Sequence, residues 1–201
     1  MPANKNQINE EDLWKDFLMG SDSSLEKIYR IYFDQLFNYG KKWLTHADLT
    51  EDCIQDLFIK LLTNRKNLSE AASVKYYLFR SFRSVVLDKL KSQSKLPFIL
   101  KPDEFLFELD VSGENNLIDE EEYQSMKMRL SDALKSLTPR QREAIFLKYT
   151  QGFSYHEVAA LMKLTPKGTY KLMARALDAL RRNVFSISLI LFHKILFNSI
   201  S

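Results

Sequence analysis

The chain has 201 residues, of which 45% are hydrophobic and 27% are charged, and its formal net charge is +3. These values are ordinary for a protein that folds around a hydrophobic core, and the length suits one medium domain or two small ones. Only five glycines occur, and no segment alternates clearly between polar and apolar residues, which argues against nucleotide-binding loops and β-rich folds. The single cysteine excludes a disulfide framework within the chain and favours a reducing compartment. The first residues lack the apolar segment of a secretory signal peptide.

The first 100 residues contain four segments in which apolar residues recur at helical spacing. A short helix is predicted from about Glu11 to Met19, and longer apolar stripes run through residues 25–37, 53–62 and 74–90. Four amphipathic helices can share one core. We therefore expect this part of the chain to form a small helical domain.

Three aspartates, Asp48, Asp52 and Asp56, follow one another at four-residue spacing on the second predicted long helix. Like charges at this spacing repel by roughly 0.2–0.5 kcal/mol per pair, and a basic partner that docks on them would offset this cost. Alternatively, the helix dipole tolerates acids near the N-terminus, which accounts for Asp48 and Asp52 but hardly for Asp56. A metal site is a weak third interpretation, because one helix face supplies too few ligands.

Basic and aromatic side chains interleave in and around the last of these helices. Such a mixture suits single-stranded nucleic acid, because bases stack on rings while cations meet phosphates. Tyr77 and Phe82 fall on the apolar stripe, so Tyr76 and Phe79 are the candidate stacking groups. The alternative is that these two rings also belong to the core. The basic residues of this segment are Lys75, Arg80, Arg83, Lys89 and Lys91.

Charge is unevenly distributed along the rest of the chain. Residues 101–122 carry nine acidic residues against one basic residue, whereas residues 123–182 carry twelve basic residues against four acidic ones. The acidic stretch also contains Pro102 and Gly113 and shows little helical periodicity. We interpret it as a linker to a second, basic domain that binds nucleic acid. A spacer that only keeps the domains solvated is the alternative.

Residues 138–182 contain the start signals of three short helices. Two are capping boxes, in which Ser or Thr is followed three residues later by Glu or Gln, and the third is Thr followed by Pro. Gly152 follows the first helix, where a left-handed residue is expected. The turn before the third helix is so short that the last two helices must cross steeply, as in a helix-turn-helix DNA-binding unit. The cap pairs are Thr138 with Gln141, Ser154 with Glu157, and Thr165 with Pro166.

The third of these helices has an apolar face and a cationic face. The residues predicted to face inward are Thr169, Leu172, Met173, Ala176, Leu177 and Leu180, and those predicted to face outward are Lys167, Tyr170, Lys171, Ala174, Arg175 and Asp178. A cationic outer face fits the phosphate-lined major groove of DNA. The alternative is a helix of a small bundle that only exposes its charges to solvent.

The segment from Val184 onward is mostly apolar. Its run of about 17 apolar residues is shorter than the roughly 20 that a membrane helix needs, and a histidine and a lysine interrupt it. We expect an extra helix that packs on the preceding domain or on a partner, because the segment would otherwise expose an apolar patch.

No motif indicates an enzyme. The three histidines are scattered, Cys53 has no paired base to activate it, and the sequence contains no zinc-protease, dinucleotide-binding or P-loop pattern. We therefore predict no catalytic residues, no metal and no cofactor.

Several of these segments resemble the sigma-70 family of RNA polymerase sigma factors, in its short extracytoplasmic-function (ECF) group, which retains regions 2 and 4. In region 2, the segment DCIQDLFIKL at residues 52–61 resembles the family's DLVQEVFLKL-like helix. The next helix of the family is matched by two segments, YLFR at residues 77–80 and DKLK at residues 88–91. In region 4, three segments resemble the family signature. They are LTPRQRE at residues 137–143, GFSYHEVA at residues 152–159 and RALDALR at residues 175–181.

The resemblance implies an all-α fold of two small helical domains. Region 2 would occupy residues 10–96, and the helix-turn-helix of region 4 would occupy residues 123–182. An acidic linker of residues 97–122 would join them and thread toward the RNA exit channel of the polymerase, and an apolar C-terminal helix would follow in residues 183–201.

The resemblance also implies partners and sites. The partners would be core RNA polymerase, contacted at its β′ clamp helices and β flap, and promoter DNA, with an anti-sigma factor as a further candidate. The chain would direct promoter-specific initiation in the cytoplasm, while the polymerase supplies the chemistry. The residues that would contact the clamp helices are Asp52, Gln55, Asp56 and Phe58. Those that would read the −10 element as a single strand are Tyr76, Phe79, Arg80, Arg83, Ser84 and Lys91, and those that would read the −35 element as a duplex are Lys167, Tyr170, Lys171 and Arg175.

Three positions depart from the family pattern. Ser84 stands where the family usually has an asparagine, and Lys163 stands at the usual turn glycine, where a left-handed conformation would cost energy. The recognition helix opens with GTYK at residues 168–171 in place of the frequent TVK, so no promoter sequence is inferred. Two other classes remain open: a stand-alone helix-turn-helix regulator with a helical sensor or dimerisation domain, and a helical adaptor that does not bind DNA.

Overall fold

The computed structural model describes residues 9–44, 46–93, 128 and 131–183. Every regular element in these ranges is a helix, which confirms the all-α prediction for the part of the chain that is described. The chain forms two compact units that divide between Phe98 and Ile99. The expected linker and the expected helix from Val184 lie outside the described residues.

The first unit consists of the four helices predicted from the apolar stripes and one short turn of 3₁₀-helix. The elements are α1 (Glu10–Leu18), α2 (Asp22–Gly40), α3 (Ala47–Thr63), the 3₁₀ turn Arg65–Asn67, and α4 (Val74–Gln93). Helices α1 and α2 pack against each other, and α3 and α4 pack on α2.

A tight connection joins α1 to α2. Gly20 adopts the left-handed conformation with φ of 116°, and the Ser21 N–H donates to the Asp16 carbonyl at 2.9 Å. The Ser21 hydroxyl then accepts a hydrogen bond from the Ser24 N–H at 3.3 Å. Ser21 therefore helps to end one helix and caps the next, which leaves almost no loop between them.

The core of the first unit is rich in aromatic rings. The Tyr39 ring lies 5.3 Å from that of Phe79 and 6.2 Å from that of Phe82, measured between centroids. The indole N–H of Trp14 donates to the Ser69 carbonyl at 3.1 Å, so burial of this side chain leaves its polar atom satisfied. The large side chains that are fully buried in this unit are Trp14, Phe17, Ile28, Tyr32, Leu36, Tyr39, Ile54, Leu57, Leu78, Phe79 and Phe82.

The second unit contains the three helices predicted from the cap signals. Its elements are α5 (131–135), α6 (Pro139–Ile145), a π-helical turn (Phe146–Thr150), α7 (Tyr155–Leu161) and α8 (Pro166–Asn183). The π-helical turn was not predicted. The Gln151 N–H donates to the Phe146 carbonyl at 3.0 Å, and such a widened turn shifts the direction of the side chains that follow it.

All three predicted N-caps are confirmed. The Thr138 hydroxyl accepts from the Gln141 N–H at 3.3 Å, while the Gln141 side chain accepts from the Thr138 N–H at 2.9 Å. Ser154 and Glu157 form the same reciprocal pair at 3.2 and 2.8 Å. The Thr165 hydroxyl accepts from the Gly168 N–H at 3.1 Å. Each cap satisfies a backbone donor that the first helical turn would leave unpaired.

The two predicted left-handed positions are confirmed as well. Gly152 has φ of 76°, and Lys163 has φ of 54°. At the end of α7, the Leu164 N–H donates to the Ala159 carbonyl at 2.8 Å and the Lys163 N–H donates to the Ala160 carbonyl at 3.3 Å. This is the Schellman arrangement, with a lysine at the position that glycine usually occupies.

Helix α8 buries the face that the sequence predicts. Thr169, Met173, Ala176 and Leu180 are buried, while Leu172 and Leu177 are half-buried. They pack against α6 and α7, whose buried residues include Ile145, Val158 and Leu161. Within the ranges that the structure describes, no helix has the length and apolar character needed to cross a membrane.

Candidate nucleic-acid and polymerase interfaces

The outer face of α8 presents the predicted cations to solvent. Lys167, Tyr170, Lys171 and Arg175 are all exposed. Lys171 and Arg175 lie one helical turn apart and therefore on the same face. Asp178, one turn further along, is 3.9 Å from Arg181. The first three turns of α8 thus offer a cationic surface that can meet phosphate groups.

Tyr170 stacks on a residue that the sequence reasoning did not assign to the site. Its ring lies 4.6 Å from that of Tyr155, with 22° between the planes. The Lys148 ammonium lies 5.1 Å from the Tyr155 ring centroid and donates to the Phe153 carbonyl at 3.2 Å. The only signal in the sequence was the tyrosine that follows Ser154 in the capping box, which does not indicate a partner on another helix.

Four of the six residues predicted to read the −10 element lie on the outer side of α4. Arg80, Ser84 and Lys91 are exposed, and Tyr76 is half-buried. Tyr76, Arg80 and Ser84 follow one another at four-residue spacing, so they share one face of the helix. Lys91 is 3.7 Å from Asp88.

Phe79 and Arg83, which the sequence placed among the direct DNA contacts, lie in the core of the first unit. Phe79 is 0% exposed and packs on Tyr39, and Arg83 is 5% exposed, with its guanidinium 5.5 Å from the Trp43 ring centroid. The two residues lie one turn apart on the side of α4 that faces the core. A base could reach Phe79 only if the core opened.

Helix α3 presents the predicted acidic residues on its outer face. Asp48, Asp52, Gln55 and Asp56 are exposed. The Asp52 carboxylate lies 3.8 Å from the Lys89 ammonium on α4, so this aspartate has a partner within the unit.

Two apolar side chains extend this acidic face. Ile59 is 56% exposed and Leu62 is 43% exposed, although the sequence pattern placed Leu62 on the buried stripe. Asp52, Gln55, Asp56, Ile59 and Leu62 recur at three- and four-residue spacing along one side of α3. Exposed apolar side chains that are grouped on one face of a helix indicate a candidate protein-docking surface. We call this set the α3 outer face.

Phe58, the fourth residue predicted to contact the polymerase, belongs to the core. It is 7% exposed, and its ring packs edge-on against Tyr29 with 5.0 Å between centroids. Its burial places Phe58 in the core and not on the outer surface of α3. Its role is to hold α3 against α2.

The described residues contain no group of His, Cys, Asp and Glu side chains that could hold a metal ion. Cys53 is buried, and burial is the main cause that raises the pKa of its thiol. A protonated, buried thiol is a poor nucleophile.

Two family models match the chain. The sigma-70 region 2 model matches residues 28–96, and the sigma-70 region 4 model matches residues 127–180. Together they cover more than half of the chain, and they fall on the helical units that carry α2 to α4 and α5 to α8.

Curated relatives match over most of their length. The chain is 24% identical to the ECF RNA polymerase sigma factor SigX of Bacillus subtilis over 81% of this chain and 84% of the relative. It is 23% identical to the RNA polymerase sigma factor CarQ of Myxococcus xanthus over 82% of this chain and 91% of the relative.

Solved structures share the fold. CnrH in complex with the cytosolic domain of CnrY has a TM-score of 0.59 at 17% identity, covering 89% of this chain and 99% of CnrH. The sigma factor RpoE in complex with the anti-sigma factor NepR, from Bartonella quintana, has a TM-score of 0.55 at 19% identity, covering 81% of this chain and 98% of RpoE. The matched regions, the relatives and the helix-turn-helix geometry agree, and the chain belongs to the sigma-70 family of RNA polymerase sigma factors, in its ECF group.

Proposed function

We propose that this sigma factor binds core RNA polymerase through the α3 outer face, reads the −10 element with α4 and reads the −35 element with α8. The observation that carries the proposal is the cationic outer face of α8 on a fully capped helix-turn-helix, in a chain whose other unit matches region 2. DNA is read by one unit as a duplex and by the other as a single strand.

The −35 element is assigned to α8 because a helix of this kind fits the major groove. Lys171 and Arg175 would neutralise phosphates or donate to guanine edges, and Lys167 would approach the backbone at the start of the helix. Tyr170 lies between these cations on the same exposed face.

The −10 element is assigned to the outer face of α4. Tyr76 would stack on an unpaired base, while Arg80 and Lys91 would contact phosphates. Ser84 offers a hydroxyl where the family usually has an amide, so its hydrogen bonds to a base would differ in reach and number. Phe79 and Arg83 support this face from the core.

Core polymerase is assigned to the α3 outer face. Asp52, Gln55 and Asp56 would face basic groups of the β′ clamp helices, and Ile59 would add apolar contact at the same surface. Region 4 would meet the β flap. Structures of similar fold include CnrH with the cytosolic domain of CnrY and the sigma factor RpoE with the anti-sigma factor NepR. We therefore also propose that an anti-sigma factor binds this chain.

The proposed domain limits are residues 10–96 for region 2, 97–122 for the linker, 123–182 for region 4 and 183–201 for the tail. The linker would thread toward the RNA exit channel, where its acidic residues resemble the charge of RNA. The chain would act in the cytoplasm, with the nucleoid DNA. Sigma factors of this family are not enzymes in general, and the polymerase would carry all catalytic residues and cofactors.

Reconstituted transcription tests the function. Purified chain is mixed with bacterial core polymerase and DNA fragments from upstream of its own gene. We expect transcripts from a defined start only when the chain and the core are both present. The matched control is the variant with both Lys171→Ala and Arg175→Ala, which should assemble with the core and initiate poorly. A stand-alone regulator would instead shift the fragments without the core, and an adaptor would neither bind DNA nor support initiation.

A further inference from the structure

Tyr170 is the only aromatic residue of α8, and 52% of its surface is exposed. It lies between Lys167 and Lys171 on the outer face of the helix. An exposed aromatic ring among cations is not needed for phosphate contacts, which lysine and arginine make by charge alone. The ring is therefore available for a different kind of contact in the groove.

Stacking on Tyr155 restrains the Tyr170 side chain. The two ring centroids lie 4.6 Å apart, with 22° between the planes. The Tyr155 ring is itself held in place. The Lys148 ammonium lies 5.1 Å from its centroid, and Lys148 is fixed by its hydrogen bond to the Phe153 carbonyl. Burial and, to a smaller extent, a hydrogen bond with Tyr155 raise the pKa of the Tyr149 phenol.

This arrangement connects α7, the π-helical turn and α8 through one cluster of side chains. Lys148 and Tyr149 both lie in the π-helical turn Phe146–Thr150, and Tyr155 is the first residue of α7. The cluster fixes the direction of Tyr170 before any DNA is bound. A side chain that is already ordered loses less conformational entropy on binding than one that must be immobilised.

The apolar group that base pairs display in the major groove is the C5-methyl group of thymine, and aromatic side chains contact it. We propose that Tyr170 recognises a thymine methyl group in the −35 element and that Tyr155 is the positioning residue that holds the Tyr170 ring. This inference rests on the proposed function, because it requires α8 to lie in the major groove. It assigns a specificity role to the position at which this chain departs from the usual opening of the recognition helix.

The test for Tyr170 uses the holoenzyme formed by the full chain and core polymerase. A preferred −35 duplex is first selected from a random pool, and each thymine is then replaced by uracil, which lacks only the methyl group. We expect the affinity to fall about fourfold at one thymine, the equivalent of one buried methyl group. Tyr170→Ala should show no difference between thymine and uracil there, whereas Tyr170→Phe should keep it.

The test for Tyr155 uses the same pair of duplexes. Tyr155→Leu and Tyr155→Met remove the ring while filling its space, and both should lose most of the discrimination between thymine and uracil. Tyr155→Phe keeps the ring and should retain it, as should the neighbouring control His156→Ala. If Tyr155→Leu is added to Tyr170→Ala, no further discrimination should be lost.

The outcomes separate the inference from the proposed function. A wild-type holoenzyme that selects a −35 duplex without any uracil-sensitive thymine overturns the role of Tyr170. Full discrimination in folded Tyr155→Leu and Tyr155→Met overturns the positioning role of Tyr155. A holoenzyme that selects no −35 sequence at all contradicts the proposed function itself.

Discussion

Gly40 lies at the end of α2, where this helix meets both α3 and α4. A Cβ atom at this position would lie 2.5 Å from Thr50 Cγ2 and 3.0 Å from Phe82 Cζ. Carbon atoms in contact normally lie about 3.5–4.0 Å apart, so a side chain here must push its neighbours away. Thr50 and Phe82 are both 0% exposed and have little room to move.

We expect Gly40→Ala to lower the free energy of unfolding of the first unit by about 1–3 kcal/mol. The steric cost outweighs the gain of up to about 1 kcal/mol that alanine brings to a helix. The two tryptophans of the chain, Trp14 and Trp43, are both buried in the first unit, so tryptophan fluorescence during urea unfolding reports on that unit. Adding Thr50→Ser removes the clashing methyl group and should restore part of the loss. Strictly additive effects would contradict the steric explanation.

The burial of ionisable side chains also affects how the stability of the first unit depends on pH. Burial and a hydrogen bond to Glu10 raise the pKa of the Tyr32 phenol above its usual range, and burial raises the pKa of the Cys53 thiol. A group whose pKa is higher in the folded state stabilises the fold below its unfolded pKa, and this contribution is lost as the pH rises.

We therefore expect the unfolding free energy of the first unit to fall above about pH 9, where the unfolded thiol and phenol ionise. Each group contributes a slope of at most about 1.4 kcal/mol per pH unit. Tyr32→Phe removes one of the two groups and should make the alkaline slope shallower. Urea titrations followed by tryptophan fluorescence at several pH values measure this slope. Equal slopes in the two proteins would show that Tyr32 does not ionise with unfolding.

At the scale of elements, the turn between α7 and α8 combines a common hydrogen-bond pattern with an unusual residue. The two hydrogen bonds of the Schellman arrangement are present, yet the left-handed position is Lys163, with φ of 54°. A residue with a Cβ atom pays about 1–2 kcal/mol for this conformation, whereas glycine adopts it readily. The helix-turn-helix therefore carries backbone strain at its tightest point.

We expect Lys163→Gly to be more stable than Lys163→Ala by roughly 1 kcal/mol. The two variants lose the same charge, so the difference between their stabilities reports the cost of the left-handed backbone conformation. Hydrogen exchange of the α7 and α8 amides measures this difference in stability without interference from the first unit. Gly152→Ala is the converse variant: a Cβ atom added to Gly152 would meet no other atom within 4 Å, so the expected loss of stability arises from the backbone alone. Equal exchange in Lys163→Gly and Lys163→Ala would remove the strain argument.

The cationic face of α8 should make the affinity for −35 DNA depend on the salt concentration. If Lys171 and Arg175 each neutralise one phosphate, Lys171→Ala and Arg175→Ala should each weaken −35 binding. Each should also reduce the slope of log affinity against log salt by about 0.9. Binding of holoenzyme to promoter fragments over a range of salt concentrations measures both quantities. Lys135→Ala is the control, because Lys135 is exposed on α5 and lies 3.3 Å from Asp132. Unchanged slope and affinity for both variants would remove α8 as the reading face.

At the scale of the whole molecule, acidic and basic surfaces are assigned to different partners. The α3 outer face is acidic and apolar, whereas α8 is cationic. Such a division steers each surface to a partner of opposite charge and away from the wrong one. A variant that loses binding to core polymerase should therefore keep the DNA-binding surface of α8, and the converse should also hold.

We expect Asp56→Lys to weaken core polymerase binding by roughly tenfold, because a positive charge would face the basic surface proposed on the β′ clamp helices. Competition for core polymerase against the labelled wild-type chain measures the change. Asp34→Lys is the matched control, since Asp34 is exposed on α2 and its replacement changes the net charge equally. Undiminished core affinity in Asp56→Lys, or an equal loss in Asp34→Lys, would exclude a specific role for the α3 outer face.

Local signals made much of the fold and part of the candidate site predictable. The caps at Thr138 and Ser154 depend on residues three positions away, and the inward and outward faces of α8 follow from its own periodicity. On α4, by contrast, cations and rings occur on both sides of the helix. The choice between Phe79 and Tyr76 as the exposed ring depends on where Tyr39 packs, and this partner lies far away in the chain.

The sequence by itself determined the all-helical class, the cap positions, the cationic face of α8 and the membership of the sigma-70 family, because these depend on short spacings and motifs. Only the tertiary structure decided that Phe58, Phe79 and Arg83 are buried, and that Ile59 and Leu62 are exposed. It also revealed the stacking of Tyr155 on Tyr170. The physical reason is that burial and ring contacts are set by residues from different helices, whose relative positions no local pattern encodes.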